Sequence, residues 1–526
     1  MEDKYECYSW AKGQTDFDPM TAPTEPQMTH QREYDAIVIG SGLSGSTLTY
    51  RLSQGGLKVL VVDRGEFLRQ PLSSPKDAIG LHMKSFGANR SFVGGLTKFY
   101  GAAMYRFRET DFQAIQHETG ESPAWPISYG ELEPYYCEAE RLFQVHGASD
   151  GDPTEPIRSE SYPYAPLPHA PLVARMIDRL RDSGTLVSAI PRAINYGNGG
   201  KCVLCSTCDA YYCRLDAKMD AEIAALRPAL EGGKVDVLTG TECTRILTDD
   251  SGLRATGVRV LQEGREWSIF ADKIAICAGL GPSARLLIRS SSPKHPRGLG
   301  NSAGCVGRYY GGHITGMVFP LLSARKLPAM HTKTFAISTY YHGASDWPYP
   351  LGMIQAAGQI PFWEAVSWWQ KPAARLIGER SLYCFFMNEA IPAAETGFEY
   401  DVLGQVVRVK PPLQNVRTIG KLRHVATEVF KRAGYAVVAV DRRSLWHTVG
   451  TVRFGVNPES SVLDASCKVH DLDNLYVVDA SVLPSAGAVN TGLTIAALAL
   501  RTGDAMSGST CLKSCDSTVL AGQQER

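Results

Sequence analysis

Tyr34-Asp35-Ala36-Ile37-Val38-Ile39-Gly40-Ser41-Gly42-Leu43-Ser44-Gly45 decides the fold of this chain. The apolar, β-branched run before Gly40 reads as a buried parallel strand, since it lacks the alternation of a strand with one wet face. It leads into a G-x-G-x-x-G. Gly40 permits the tight turn, Gly42 lets the backbone approach a pyrophosphate, and Gly45 lets helix and strand pack closely. Leu43 and Ser44 open a helix whose N-terminal amides would face the phosphates. Good helix formers continue to Gln54, Gly55-Gly56 ends them, and 57–62 is a second apolar strand. Asp63 lies eighteen positions beyond Gly45, where a carboxylate can accept hydrogen bonds from ribose hydroxyls, and Arg64 follows it. The unit is a dinucleotide fingerprint and leaves FAD and NAD both open.

Outward from this unit, later strands are expected at 235–238, 257–261, 273–277 and 475–479, with helices at 283–290 and 493–505. Residues 316–440 carry Trp347, Trp363, Trp368 and Trp369 and longer loops, the texture of a second domain inserted into the first. A chain of 526 residues is long enough to divide in this way. Lys plus Arg equals Asp plus Glu at 54 each, and no basic run stands out, so a nucleic-acid partner is not expected. The polar start lacks a secretory signal, and no run reaches the roughly 18 apolar residues that span a bilayer. No membrane span and a cytoplasmic location are therefore expected. In that setting the 13 cysteines read mostly as free thiols.

The other end of the chain narrows the function. His447-Thr448-Val449-Gly450-Thr451-Val452-Arg453-Phe454-Gly455 is followed by Ser461-Val462-Leu463-Asp464, then by 473–484 and by Gly487-Ala488-Val489-Asn490-Thr491. In order and spacing this resembles the C-terminal signature of the glucose–methanol–choline (GMC) oxidoreductase family. Val93-Gly94-Gly95-Leu96-Thr97-Lys98-Phe99-Tyr100-Gly101 is similar to the family's glycine-rich flavin loop. Trp125-Pro126-Ile127-Ser128-Tyr129, Cys277-Ala278-Gly279-Leu280 and 300–308 also match its landmarks.

The resemblance implies an α/β fold: a Rossmann-type FAD-binding domain built from several chain segments, with an inserted α+β substrate domain carrying an antiparallel sheet. The expected division is a polar extension at 1–32, an FAD-binding domain of 33–115, 185–315 and 441–510, a substrate domain of 116–184 and 316–440, and a tail at 511–526. It also implies FAD-dependent oxidation of an alcohol. A small-molecule alcohol would be the substrate, with oxygen or another acceptor taking the electrons. His447 falls on the family's catalytic histidine, and a histidine accepts the hydroxyl proton without a large pKa shift. Asn490 falls on the second position of the pair, and its amide would orient the substrate oxygen. The His/Asn form resembles the cholesterol-oxidase and pyranose-oxidase branches and tilts the substrate toward a secondary hydroxyl of a sugar, glycoside or polycyclic natural product.

FAD contacts are expected from Gly40, Gly42, Leu43, Ser44, Gly45, Asp63, Arg64, Gly95, Thr97, Tyr100, Gly101, Ala102, Cys243, Ala278, Gly279, Asp479, Ala480, Asn490 and Thr491. The family often has asparagine where Tyr100 stands. No histidine lies between Gly94 and Arg106, so FAD is expected to be non-covalent. Cys202, Cys205, Cys208 and Cys213 have spacing near that of a ferredoxin run, but Pro does not follow Cys213. They are read as structural thiols or disulfides and no metal is assigned, with zinc or an iron–sulfur cluster as the open alternative. His313, His331 and His470 have no comparable context and are left as core or surface residues. The rival readings are a lyase or decarboxylase that retains FAD, and a flavin-binding protein without catalysis.

Overall fold

Ala36, Ile37 and Val38 are fully buried, as are Val59 and Val61, so these strands are covered on both faces as their unbroken apolar runs require. They belong to a computed structural model that describes residues 34–68, 91–360, 363 and 366–508. The expected extension at 1–32 and tail at 511–526 lie outside the described residues. Tyr34–Ile39 leads through the helix Leu43–Gln54 to the parallel strand Val59–Val62, with Ala36 opposite Val59 and Ile39 opposite Val62. In space the order is Val235–Leu238, Val59–Val62, Tyr34–Ile39 and Arg265–Ile276, with Leu475–Val477 on the far side of the last.

Arg265–Ile276 joins the parallel and antiparallel parts of this one sheet. Its inner half, from Ala271, runs parallel to Tyr34–Ile39, while its outer half pairs antiparallel with Ala255–Gln262. The sequence reading shortened this strand to 273–277. Glu263 and Gly264 close the hairpin with φ of +49° and +82°, a turn type usually announced by Asn-Gly and here hidden behind a glutamate. The helix expected at 283–290 spans Leu280–Arg289. Pro282 sits in its first turn, where a missing N–H breaks no helical bond.

The second sheet is antiparallel, in the order Val437–Val449, Gly311–Pro320, Cys384–Ile391, Met353–Ala356, Phe335–Ile337 and Ser188–Ala189, with Leu413–Gln414 against the end of Cys384–Ile391. Helix Val416–Arg432 buries Leu422, Ala426, Val429 and Phe430 in the same core as Val173, Met176 and Leu180 of helix Pro171–Asp182. Strands Gly311–Pro320 and Val437–Val449 run across the expected boundaries at 315/316 and 440/441. They carry the second sheet back to the segment after Leu475–Val477, where Gly450 N–H donates to Ala480 O (3.3 Å) and Val452 N–H to Ser481 O (3.0 Å).

Candidate active site

The first strand ends in a cradle fixed by sterics. Gly40 has φ +97°, and a Cβ there would sit 2.5 Å from Cys277 O. A Cβ on Gly45 would lie 1.9 Å from Gly40 O, so only hydrogen lets helix and turn approach this closely. A Cβ on Gly42 meets no atom within 4 Å, so open space lies beside the backbone at the helix N-terminus. Gly95 closes against it, its own Cβ position 3.0 Å from Gly42 Cα. The two glycine loops, touching at residues 53 apart in the sequence, thus form one surface.

Asp63 is buried and holds this surface together. One carboxylate oxygen accepts from Ser41 N (2.7 Å) and Ser41 Oγ (2.5 Å), the other from Gly65 N (2.7 Å). Burial raises its pKa against the opposing effect of those donors. Asp479 is a second hydrogen-bond brace at the next turn, accepting from Gly279 N (2.9 Å), Ser283 Oγ (2.6 Å) and Ser481 N (2.7 Å). Gly279 has φ +91°, and Ala278 and Ala480 adjoin it and Asp479 in the sequence. Cys243 lies on Glu242–Thr248, two residues past Thr241, whose amide donates to Asp63 O (2.9 Å). Arg64 is exposed and donates to Ser91 Oγ (2.5 Å).

The flavin-loop residues are held just as locally. Thr97 Oγ1 donates to Gly94 O (2.5 Å) and accepts from Ala221 N (3.0 Å). Tyr100 donates to Met219 O (2.5 Å). The phenol thus has a structural partner where the family often has asparagine. Ala102 takes φ +54°, and Gly101 leaves room for the Asp209 carboxylate, which a Cβ would meet at 1.7 Å. Asp209 pairs with Lys333 (3.0 Å) inside the protein.

His447 comes from the second sheet. Gly311 pairs with Val449 and His313 with Trp446, so His447 and Thr448 together oppose Gly312. This is a β-bulge, which re-aims a side chain out of the alternation of the strand. His447 has φ +46°, a left-handed conformation that costs a non-glycine residue about 1–3 kcal/mol and is held only by its surroundings. Gly312 accommodates the bulge, since a Cβ there would lie 2.9 Å from Trp446 O.

Asn490 arrives from the other sheet's connection. Thr491 caps the helix Gly492–Ser507, and Gly492 abuts Leu43 and Met104, where a Cβ would meet their side chains at 3.5 and 3.4 Å. Asn490 Nδ2 and His447 Nε2 are 3.2 Å apart. Gln355 Nε2 donates to Asn490 Oδ1 (3.0 Å), and His447 Nδ1 meets His313 Nδ1 at 2.9 Å. Burial, then the His313 ring, then the charge of Lys333 hold the His447 pKa well below its ordinary value. The neutral imidazole is therefore its resting form, with a lone pair available as a base.

Sequence and structure agree on bringing His447 and Asn490 together across 43 residues, beside the fingerprint helix. The sequence reading missed His313 and Gln355. His313 was set aside for want of context, and Gln355 sits mid-strand with no local signal. All four clustered cysteines are free thiols, so the disulfide alternative does not form. Among the described residues no group of three or more His, Cys, Asp or Glu side chains is arranged to hold a metal, and no helix is long and apolar enough to cross a membrane.

A dinucleotide cradle joined to a buried imidazole–amide pair defines a nucleotide-cofactor oxidoreductase. Models of the N- and C-terminal GMC oxidoreductase regions match residues 34–314 and 413–499. The chain belongs to the GMC oxidoreductase family; it binds FAD and acts on CH–OH groups. It is 27% identical to paromamine 6'-oxidase of Streptomyces fradiae and 29% identical to 6'''-hydroxyparomomycin C oxidase of Streptomyces lividus, each over 91% of this chain and 92% of the relative. It is 27% identical to 2-methyl-1,2-propanediol dehydrogenase of Mycolicibacterium austroafricanum, over 91% of this chain and 96% of that one. The fold matches pyridoxine 4-oxidase from Mesorbium loti with a TM-score of 0.56 at 17% identity, over 90% of this chain and 98% of that one.

Proposed function

We propose that this enzyme oxidises a hydroxyl of a sugar or glycoside to a carbonyl, with His447 as the base and Asn490 orienting the hydroxyl. One observation carries the assignment: the imidazole Nε2 of buried His447 and the amide Nδ2 of Asn490 lie 3.2 Å apart. Bound FAD supplies the acceptor for the hydride lost by the alcohol carbon. His447 takes the hydroxyl proton as that bond breaks, which leaves the oxygen free to become a carbonyl. The amide of Asn490 holds the oxygen in line, and Gln355 holds the amide. The depressed pKa keeps His447 competent through neutral pH, since protonation would remove the lone pair it uses.

Gly40, Gly42, Gly45, Gly95 and the turn at Gly279 form the cradle assigned to FAD, with Asp63 and Asp479 as its braces. Non-covalent attachment is part of the proposal, as the stretch from Gly94 to Arg106 offers no histidine. The glycoside class follows from two relatives whose names place their chemistry on paromamine and a hydroxyparomomycin. Anaerobic mixing with paromamine, simple sugars and 2-methyl-1,2-propanediol tests it. Bleaching of the flavin by a glycoside, faster than by the diol, supports the reading; a flavin untouched by every alcohol overturns it. Readmitting air then identifies whether oxygen restores the colour.

A further inference from the structure

We infer that His313 is a positioning residue that fixes the tautomer of His447, and that the backbone carbonyl of Ala486 dictates this through His313. The inference rests on His447 being the base, as proposed above. Its evidence is a hydrogen-bond chain whose direction is fixed at one end.

The chain runs from Ala486 O to His313 Nε2 (3.1 Å), from His313 Nδ1 to His447 Nδ1 (2.9 Å), from His447 Nε2 to Asn490 Nδ2 (3.2 Å), and from Asn490 Oδ1 to Gln355 Nε2 (3.0 Å). A carbonyl oxygen only accepts, so His313 Nε2 must carry a proton. His313 is fully buried, and burial keeps its ring neutral by lowering its pKa. Its Nδ1 is then a lone pair. The nitrogen facing it, His447 Nδ1, must be the donor. That places the remaining lone pair of His447 on Nε2, beside Asn490.

The opposite polarity fails at one place only. Turning both amides around would let Asn490 Oδ1 accept from a protonated His447 Nε2. His447 Nδ1 would then need a proton from His313 Nδ1, leaving His313 Nε2 as a lone pair against Ala486 O. Two acceptors would face each other at 3.1 Å inside the protein, an arrangement that leaves both unsatisfied. The carbonyl is itself braced, because Ala486 N donates to Glu389 Oε1 (2.7 Å), and Glu389 also accepts from Ser122 Oγ (2.7 Å). His447 therefore does not choose its tautomer; the loop at Ala486 chooses it.

Two substitutions separate the two nitrogens of His313. In His313→Asn, Oδ1 falls near the place of Nδ1 and can accept from His447. In His313→Gln, the amide reaches the place of Nε2, keeps Ala486 satisfied and leaves His447 Nδ1 without its acceptor. The measurements are anaerobic flavin reduction by the alcohol that bleaches the wild-type flavin fastest, with paromamine as first probe, and ring ¹⁵N spectra of histidine-labelled protein. We expect the Asn variant to keep the reduction rate within about tenfold. The Gln variant should lose about 100-fold or more, as loss of the correct tautomer in a serine-protease triad costs up to ~10⁴. His447 Nε2 should resonate as a bare nitrogen in wild type and Asn variant, and as a tautomer mixture in the Gln variant. Equal rates in the two variants, a Gln variant faster than the Asn variant, or a wild-type His447 protonated on Nε2 would overturn the inference. If His447→Ala keeps the wild-type rate, the base assignment itself fails; if it abolishes reduction while the Asn and Gln variants behave alike, only the role of His313 fails.

Discussion

The two sheets contribute to the site by different physical means. The parallel sheet offers backbone: Gly40, Gly42, Gly45 and Gly279 shape its turns, and where the contacts are closest a Cβ would overlap a carbonyl oxygen. The antiparallel sheet offers side chains: His313, Gln355 and His447 project from three strands and are tied by hydrogen bonds. At Gly40 and Gly45 the backbone cradle tolerates no added atom, whereas a side-chain chain tolerates bulk but not a reversed donor. Lesions in the first should cost the cofactor, and lesions in the second should cost the rate with cofactor still bound.

The sharpest test of that contrast is His447→Ala. Flavin reduction should fall by about 10³-fold or more, the upper range for losing a general base, while FAD content measured by absorbance stays near one per chain. Substantial loss of FAD would place His447 among the residues that build the cradle. Gly45→Val should do the reverse. Its side chain would start 1.9 Å from Gly40 O and 3.2 Å from Cys277 Cβ, and the purified protein should carry less than about a tenth of the wild-type FAD. Full retention of FAD would break the comparison.

Gln355→Leu removes the donor to Asn490 Oδ1 and should slow flavin reduction by about tenfold, the worth of one buried hydrogen bond, with KM nearly unchanged. Stopped-flow traces decide it. The smallest effect concerns Asp111, which accepts from Tyr341 Oη (2.8 Å) and lies against Gly487. Burial raises its pKa to about 6, so the folded state holds the proton more tightly than the unfolded chain. Its contribution to stability is present below about pH 4 and is lost as pH rises through about 6. Melting curves of wild type should therefore fall between about pH 4 and 6 relative to Asp111→Asn; parallel curves would refute the shift.

Much of this molecule was legible before any coordinates. Backbone constraints leave local marks, so the fingerprint at 40–45 and Asp63 stood out at fixed spacing, and the C-terminal signature marked His447 and Asn490. The braces were harder. Asp63 stood out by its spacing, but its bonds from Ser41 and Gly65 are set by how the turn closes. The Glu263-Gly264 hairpin was missed because glutamate is not a usual left-handed turn residue.

By itself the sequence determined the strand–turn–helix unit, because glycine is the only residue whose missing Cβ permits such contacts, and that requirement is written at the position itself. Tertiary structure alone decided which nitrogen of His447 is free. That choice depends on a carbonyl 39 residues away, relayed by His313 from a third segment, and neither residue type nor spacing records the direction of a hydrogen bond.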